Sequence, residues 1–194
     1  MPDQIPTLSH TPLVSLLRQY RPADDTEAAD LARVTELVNT VGDPWSRATS
    51  LHITGSALIV HPPTRRVLLR WHQRQQAWLQ VGGHGDPGEE DPLSVALREA
   101  REETGLTDLV PWPDPALRHL AIVRVAAGKG EPEHEHADLR FVLATGEPEA
   151  IAAEHPDAPL RWLPVREAAE EVAQPNLRET LSRVQRLLAG ASSD

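Results

Sequence analysis

The sequence predicts an α+β fold, and three observations carry the prediction. Apolar runs of strand length fall at residues 52–61, 66–71, 78–81, 117–126 and 134–145. Between the third and fourth runs lies a stretch with helical periodicity and a stop or start signal at each end, residues 91–105. Helical periodicity also fills residues 12–40 and 176–188, so three strands, a loop and a helix sit within a chain that begins and ends helical.

In chain order, Leu13, Leu16, Leu17 and Tyr20 make an apolar stripe ending at Pro22. Asp24 or Asp25 then caps a second helix bearing Ala28, Leu31, Val34, Leu37, Val38 and Val41, which Gly42 and Pro44 end. Both stripes need a partner. They either close over the rest of the chain or meet a second copy, and a homodimer through these helices is one expectation. Strand His52–His61 turns at Pro62 and Pro63 into a hairpin partner, Arg66–Trp71, and Trp78–Val81 leads straight into a glycine-rich loop. Trp71, His72, Trp78 and Gln80 are placed near that loop, where Trp78 is a candidate substrate contact.

Gly82 to Leu106 reads GGHGDPGEEDPLSVALREAREETGL. Asp91 suits the N-cap, Pro92 the first helical position and Gly105 the residue just past the end. Leu93, Ala96, Leu97, Ala100 and Thr104 form the stripe expected to face the core. Glu99, Glu102 and Glu103 are spaced i, i+3, i+4 and project from another side. Three acids so close repel one another, so the face needs a divalent cation or an arginine to neutralise it. Glu89 adds a fourth acid at the end of the loop.

These residues resemble the Nudix box, G-x5-E-x7-R-E-U-x-E-E-x-G-U with U a bulky apolar residue. Gly83, Glu89, Arg98, Glu99, Glu102, Glu103, Gly105 and Leu106 match it, with Ala100 a small occupant of the first U position. Eight residues rather than seven separate Glu89 from Arg98, which reads as one extra residue ahead of the Asp91 cap and leaves the helix register intact. The resemblance implies a mixed β-sheet sandwiched between helices, and hydrolysis of a nucleoside diphosphate linked to another group, or of a related diphosphate, by water attack on phosphorus. It also implies Mg2+ or Mn2+ held by Glu99, Glu102 and Glu103, with the Gly83 carbonyl and Glu89 assisting. Glu99 is then a ligand or the base, Arg98 orients the acids, and Glu131, Glu133 and Glu135 are further candidates for the base. A non-catalytic Nudix module that senses a nucleotide or metabolite is the alternative. The isomerase of isopentenyl diphosphate that shares this fold relies on a cysteine, and the chain has none.

Downstream, Val110–Pro115 reads as loop, Leu117–Ala126 as strand and Gly128–Glu133 as a polar loop. In EHEHADLRFVLAT, strand alternation puts His134, His136, Asp138 and Arg140 on one face and Leu139, Phe141 and Leu143 on the other, the second set being the one expected to be buried. The His-Asp-Arg face is read as a substrate-binding cleft wall, with a solvated strand or a separate metal site as alternatives. Leu160–Leu163 reads as a short strand, and Asn176–Leu188 as a closing amphipathic helix with Leu177, Leu181, Val184, Leu187 and Leu188 inward.

Composition bounds the rest. With 194 residues and 40% hydrophobic content, the chain suits one core: an N-terminal helical extension over 1–48, the Nudix-like domain over 49–190 and a disordered tail over 191–194. No run is long enough to span a membrane and the N-terminus lacks a signal pattern, so the expected location is cytoplasmic. A formal charge of −10 argues against an extended nucleic-acid partner and leaves a small-molecule diphosphate open. Within the family resemblance, the tyrosine of diadenosine polyphosphate hydrolases, the proline of ADP-ribose hydrolases (near Ala121) and an SQPW motif are all missing, so the sequence does not choose the substrate.

Overall fold

The computed structural model describes residues 12–128, 130 and 132–191, so Glu131 and the end of the expected tail lie outside the described residues. The architecture is α+β, one mixed sheet between two helical layers. Its central strand β1, Leu51–His61, is buried along nearly its whole length because it is covered on both faces. Along one edge β1 runs parallel to β7, His134–Ala144, with His52 opposite His136 and Thr54 opposite Asp138. Along its other edge it pairs antiparallel first with β4, Val81–His84, and then with β2, Arg66–His72. β2 also holds β3, Ala77–Leu79, and β8, Leu160–Pro164, while β7 holds β5, Val110–Pro111, and β6, His119–Val125. Two details differ from the sequence reading. The segment expected as one strand at 78–81 is two, because Gln80 breaks the pairing and β4 carries on through the glycines to His84. Val110–Pro111, read as loop, adds a short strand to β7.

One face of the sheet packs on α1, Pro12–Gln19, α2, Asp25–Thr40, and α3, Pro92–Thr104. Leu13, Leu17, Val34, Leu37 and Val38 join Ile53, Leu120 and Leu139 in a single core cluster. At about 1.5–3 kcal/mol per fully buried aliphatic side chain, that cluster fastens the N-terminal helices to the sheet. Much of both apolar stripes is thus buried within the chain, while Ala28 stays exposed and Leu16, Leu31 and Val41 are half-buried. α2 also covers the open edge of β6: the amides of Leu120 and Ile122 donate to Glu27 Oε1 at 3.2 Å and Asp30 Oδ2 at 2.9 Å. The opposite face, with Leu58, Val60, Val67, Leu69 and Val142, packs on α4, Val165–Glu171, and α5, Pro175–Gly190.

Beneath α2 lies a buried ion cluster. Glu27, 2% exposed, pairs with Arg183 of α5 at 2.9 Å, accepts the Tyr20 hydroxyl and accepts the Ala23 amide at 2.6 Å. Burial pushes its carboxyl upward, but the hydrogen bonds from Arg183, Tyr20 and the two backbone amides outweigh burial and hold it at about 2. Among the described residues, no helix is long and apolar enough to cross a membrane.

Candidate active site

α3 forms where its capping signals put it. Asp91 accepts from the Ser94 amide at 3.1 Å, Pro92 opens the helix, and Gly105 closes it at φ 70° with its amide on the Arg101 carbonyl at 2.8 Å. Gly55 of β1 lets the helix approach closely, since a Cβ there would sit 2.6 Å from the Pro92 carbonyl oxygen.

The three helix acids share one side of the helix but not one environment. Side-chain exposure runs from 53% at Glu102 through 17% at Glu99 to 11% at Glu103. Glu103 lies inside because its position borders the buried stripe, to which Val95 also belongs. Arg98 is the hub. Its Nη1 donates to Glu99 at 2.9 Å and to Glu102 at 3.0 Å, its Nε and Nη2 grip Glu89 at 3.1 and 2.9 Å, and Nη2 also holds the His84 carbonyl at 2.8 Å. Glu89 therefore keeps its link to the helix despite the longer loop. Arg98 holds the Glu89 carboxyl below the usual range.

A second arginine, Arg70 of β2, meets Glu103 at 3.1 Å, and the Gly82 amide donates to the same carboxylate at 3.1 Å. Burial nevertheless pushes the Glu103 carboxyl up to about 7, and burial raises Glu99 as well. Glu154, 3.8 Å from Arg70, stands beside this pair. The sequence reading missed both Arg70 and Glu154, because only the pairing of β2 and the course of the loop after β7 bring them to α3. The expected base candidate Glu135 is elsewhere, paired with Arg33 of α2 at 2.5 Å.

The donor set fits a hard divalent cation: three carboxylates and a glycine carbonyl are all oxygen. Glycine at position 83 leaves room for the Glu99 carboxylate against the strand, since a Cβ would lie 2.6 Å from it and the side chain would have to move. Arg98 and Arg70 offset only part of the charge of these acids.

Beside the loop, a cleft of 230 Å³ is walled by Thr54, Gln80, His136, Asp138, Gln174 and Asn176, among others. His136, Asp138 and Arg140 thus do line a cleft, but Asp138 and Arg140 are buried, contrary to the expectation that only the Leu139–Phe141 face would be. The reason is α5, which covers that face. Arg140 binds Asp138 at 2.7 Å, Thr180 at 2.9 Å and Asn176 at 3.2 Å, so all its nitrogens serve the cleft wall rather than facing outward to a phosphate. Trp78 packs edge-on against Trp71 with ring centroids 5.4 Å apart and is not among the cleft-lining residues. Gln80 donates to Asp138 at 3.1 Å, and the Gln174 side-chain oxygen is buried without a hydrogen-bond partner. A larger cavity of 780 Å³ lies between α1, α2 and residues 85–90, walled by Leu13, Val38, Val41 and Trp45 and also by Asp43, Arg47, Asp86, Glu89 and Glu90. The smaller cleft differs in carrying the side-chain amides of Gln80, Gln174 and Asn176, which can orient a ligand.

His134 and His136 sit at the end of β7 among two further histidines. His52 and His84 are 3.1 Å apart through their Nε2 atoms, and His134 and His136 are 3.2 Å apart in the same way. Burial holds His84 at about 3 and His136 at about 4, with neighbouring histidines and Arg47 adding to the effect.

A capped helix whose acids are gathered behind a glycine strand, on a sheet flanked by helices, is the arrangement that the Nudix resemblance implies. Known proteins agree. A NUDIX domain family model matches residues 51–184. A probable DHNTP pyrophosphohydrolase of Lactococcus lactis subsp. cremoris is 31% identical over 129 residues, 62% of this chain and 69% of the relative. Among solved structures, a C. elegans Ap4A hydrolase binary complex superposes with a TM-score of 0.58 at 20% identity, covering 71% of this chain and 98% of the other. The E. coli dihydroneopterin triphosphate pyrophosphohydrolase gives 0.52 at 19% identity, covering 71% and 95%. The chain belongs to the Nudix family and is an enzyme acting on pyrophosphate bonds. At such low identities the solved structures speak for the fold alone.

Proposed function

We propose that the protein is a divalent-metal-dependent hydrolase of a small heterocyclic compound carrying a diphosphate or triphosphate, cleaved by water attack on phosphorus. The observation that carries this reading is the Arg98 hub, which gathers Glu89, Glu99 and Glu102, with Glu103 held by Arg70 and the Gly82 amide, beside an amide-lined cleft. Glu99, Glu102 and Glu103, with the Gly83 carbonyl and with Glu89 as helper, are the residues that would hold Mg2+ or Mn2+. Bound there, the cation would supply charge neutralisation on the phosphoryl oxygens.

The chain's own groups do the rest. Arg98 fixes the carboxylates, so little reorganisation is left for the reacting complex. Glu99, pressed against Gly83, is a ligand or the base that takes a proton from water, and Glu154 is a second candidate for that proton. In the cleft, Gln80, Gln174 and Asn176 offer donors and acceptors suited to the edge of a nitrogen heterocycle, and the unpartnered Gln174 oxygen awaits an N–H. The DHNTP pyrophosphohydrolase relative supports a pterin or a nucleobase as that heterocycle. No stretch of the chain is basic enough to suggest extended nucleic acid, and we place the reaction in the cytoplasm.

The test is a panel of dihydroneopterin triphosphate, nucleoside triphosphates, diadenosine polyphosphates and nucleotide sugars, each assayed with Mg2+ and Mn2+. One class should be turned over with release of phosphate, pyrophosphate or a monophosphate. Glu103→Gln should lower that turnover by on the order of 10²- to 10³-fold while the fold is retained. Undiminished activity in that variant would sink the assignment, and a folded parent inert toward the whole panel with both ions would favour a sensing module.

A further inference from the structure

The histidine cluster is not absorbed by the hydrolytic site. His52 of β1, His84 of β4 and His136 of β7 each offer a ring nitrogen within 4.8 Å of the other two, and His134 stacks on His52 with ring centroids 5.4 Å apart. We propose that these histidines form a second metal site, one for a late first-row transition ion of the Zn2+ type, separate from the carboxylate site.

Three features of the geometry carry this. The first is spacing. A tetrahedral ion with Zn–N bonds of ~2.0–2.1 Å places its ligand nitrogens roughly 3.3 Å apart. The Nε2 pairs His52–His84 and His134–His136 already stand at 3.1 and 3.2 Å. The second is ring orientation. His52 Nδ1 lies 3.1 Å from the Thr49 carbonyl and His134 Nδ1 lies 2.9 Å from the Pro132 carbonyl. A carbonyl can only accept, so in the neutral rings both Nδ1 atoms carry the proton and both Nε2 lone pairs point into the cluster. That is the outer contact that fixes metal-bound imidazoles. The third is framing. His52 and His136 are paired in the parallel register of β1 and β7, and His84 is brought across by β4, so three strands of the sheet hold the ligands with little freedom. His52 is 1% exposed and therefore unable to serve as a substrate contact.

Arg47 is the cation facing His84 and His136, but its side chain belongs to an exposed residue that can turn outward, and Asp138 faces His136 from the same strand. Imidazole nitrogens suit Zn2+, Co2+ and Ni2+, whereas Mg2+ prefers oxygen, so the two sites would not compete for one ion. The His84 carbonyl also receives the Arg98 hydrogen bond. An ion on the His84 ring would hence pin the first residue of the loop that Arg98 organises, adding a metal anchor at one end of the hydrolytic site.

Full-length protein, stripped with a chelator and kept in excess Mg2+, would be titrated with Co2+ and followed by visible absorption. The expected result is one equivalent taken up with the intense bands of four-coordinate cobalt, removed on adding Zn2+. The bands should persist in the Glu102→Gln/Glu103→Gln double variant. In His136→Gln and in His84→Gln, Co2+ affinity should fall by more than about 10-fold. X-ray absorption at the zinc edge on the unsubstituted protein gives a readout independent of any variant's folding, and it should show imidazole scattering. Absence of uptake by the parent, survival of the bands in both histidine variants, their loss with the carboxylates, or an oxygen-only zinc shell would each overturn the proposal.

Discussion

Arg183 and Arg98 each gather carboxylates, and they do so for opposite ends. Arg183 meets Glu27 in a largely buried site, where the acid is matched by a cation, a phenol and backbone amides. Arg98 meets Glu89, Glu99 and Glu102 at the surface, with three acids on one guanidinium and a fourth acid, Glu103, turned inward to Arg70. The first cluster is complete, so its effect is to dock α2 on α5 and on the edge of β6. The second carries surplus negative charge with its arginine already shared, so it retains capacity for a cation. Equal chemistry in the two places thus separates by stoichiometry and burial rather than by residue type.

Breaking the buried cluster should give the largest effect. Glu27→Gln leaves the Arg183 cation under α2 without its counter-charge and should cost about 3–5 kcal/mol of stability, seen as a lower midpoint in urea unfolding. Turnover per folded molecule should stay near that of the parent, because Glu27 touches no residue of α3. The surface site should respond the other way. Gly83→Ala forces a Cβ to within 2.6 Å of the Glu99 carboxylate. It should lower kcat by on the order of 10²-fold, the scale of one misplaced electrostatic group, with a smaller change in stability. A parent-like kcat would show that Glu99 need not lie against the strand.

The smallest effect is a pH dependence that sharpens the same contrast. The folded carboxyl of Glu27 titrates at about 2 against an ordinary 4.5. Its ionised form therefore stabilises the fold fully above pH 4.5, and that contribution is lost as pH falls from 4.5 toward 2. The stability difference between the parent and Glu27→Gln, followed by chemical denaturation through this window, should shrink as the pH drops. A difference that stays constant would mean that the ion pair is not what stabilises the α2 contact. Millimolar Mg2+ or Mn2+ should meanwhile raise the melting temperature by mass action, and replacing Glu102 and Glu103 together should remove that rise.

The helix of the site was legible because every determinant of it is local. Asp91, Pro92 and Gly105 fix its ends within its own hydrogen-bonding reach, and the i, i+3, i+4 acids follow from its pitch. The unequal burial of those acids was not legible. It depends on where β1 lies under the helix, which Gly55 decides from outside the segment. Alternation correctly put His136, Asp138 and Arg140 on one side of β7, yet it misjudged that side as open, because α5 is distant in sequence and carries Thr180 and Asn176 onto it. Trp78 was drawn to the site by closeness in sequence and left it for Trp71 by strand pairing.

By itself, then, the sequence determined the α+β order, the capped acidic helix and the family it belongs to, since these rest on local periodicity and on spacing along one segment. Only the tertiary structure decided that the N-terminal helices close over their own chain, that Arg98 and Arg70 divide the acids between them, and that four histidines from three strands converge. Those outcomes depend on strand register, which joins residues such as His52 and His136 across more than eighty positions of chain, and no local pattern records that pairing.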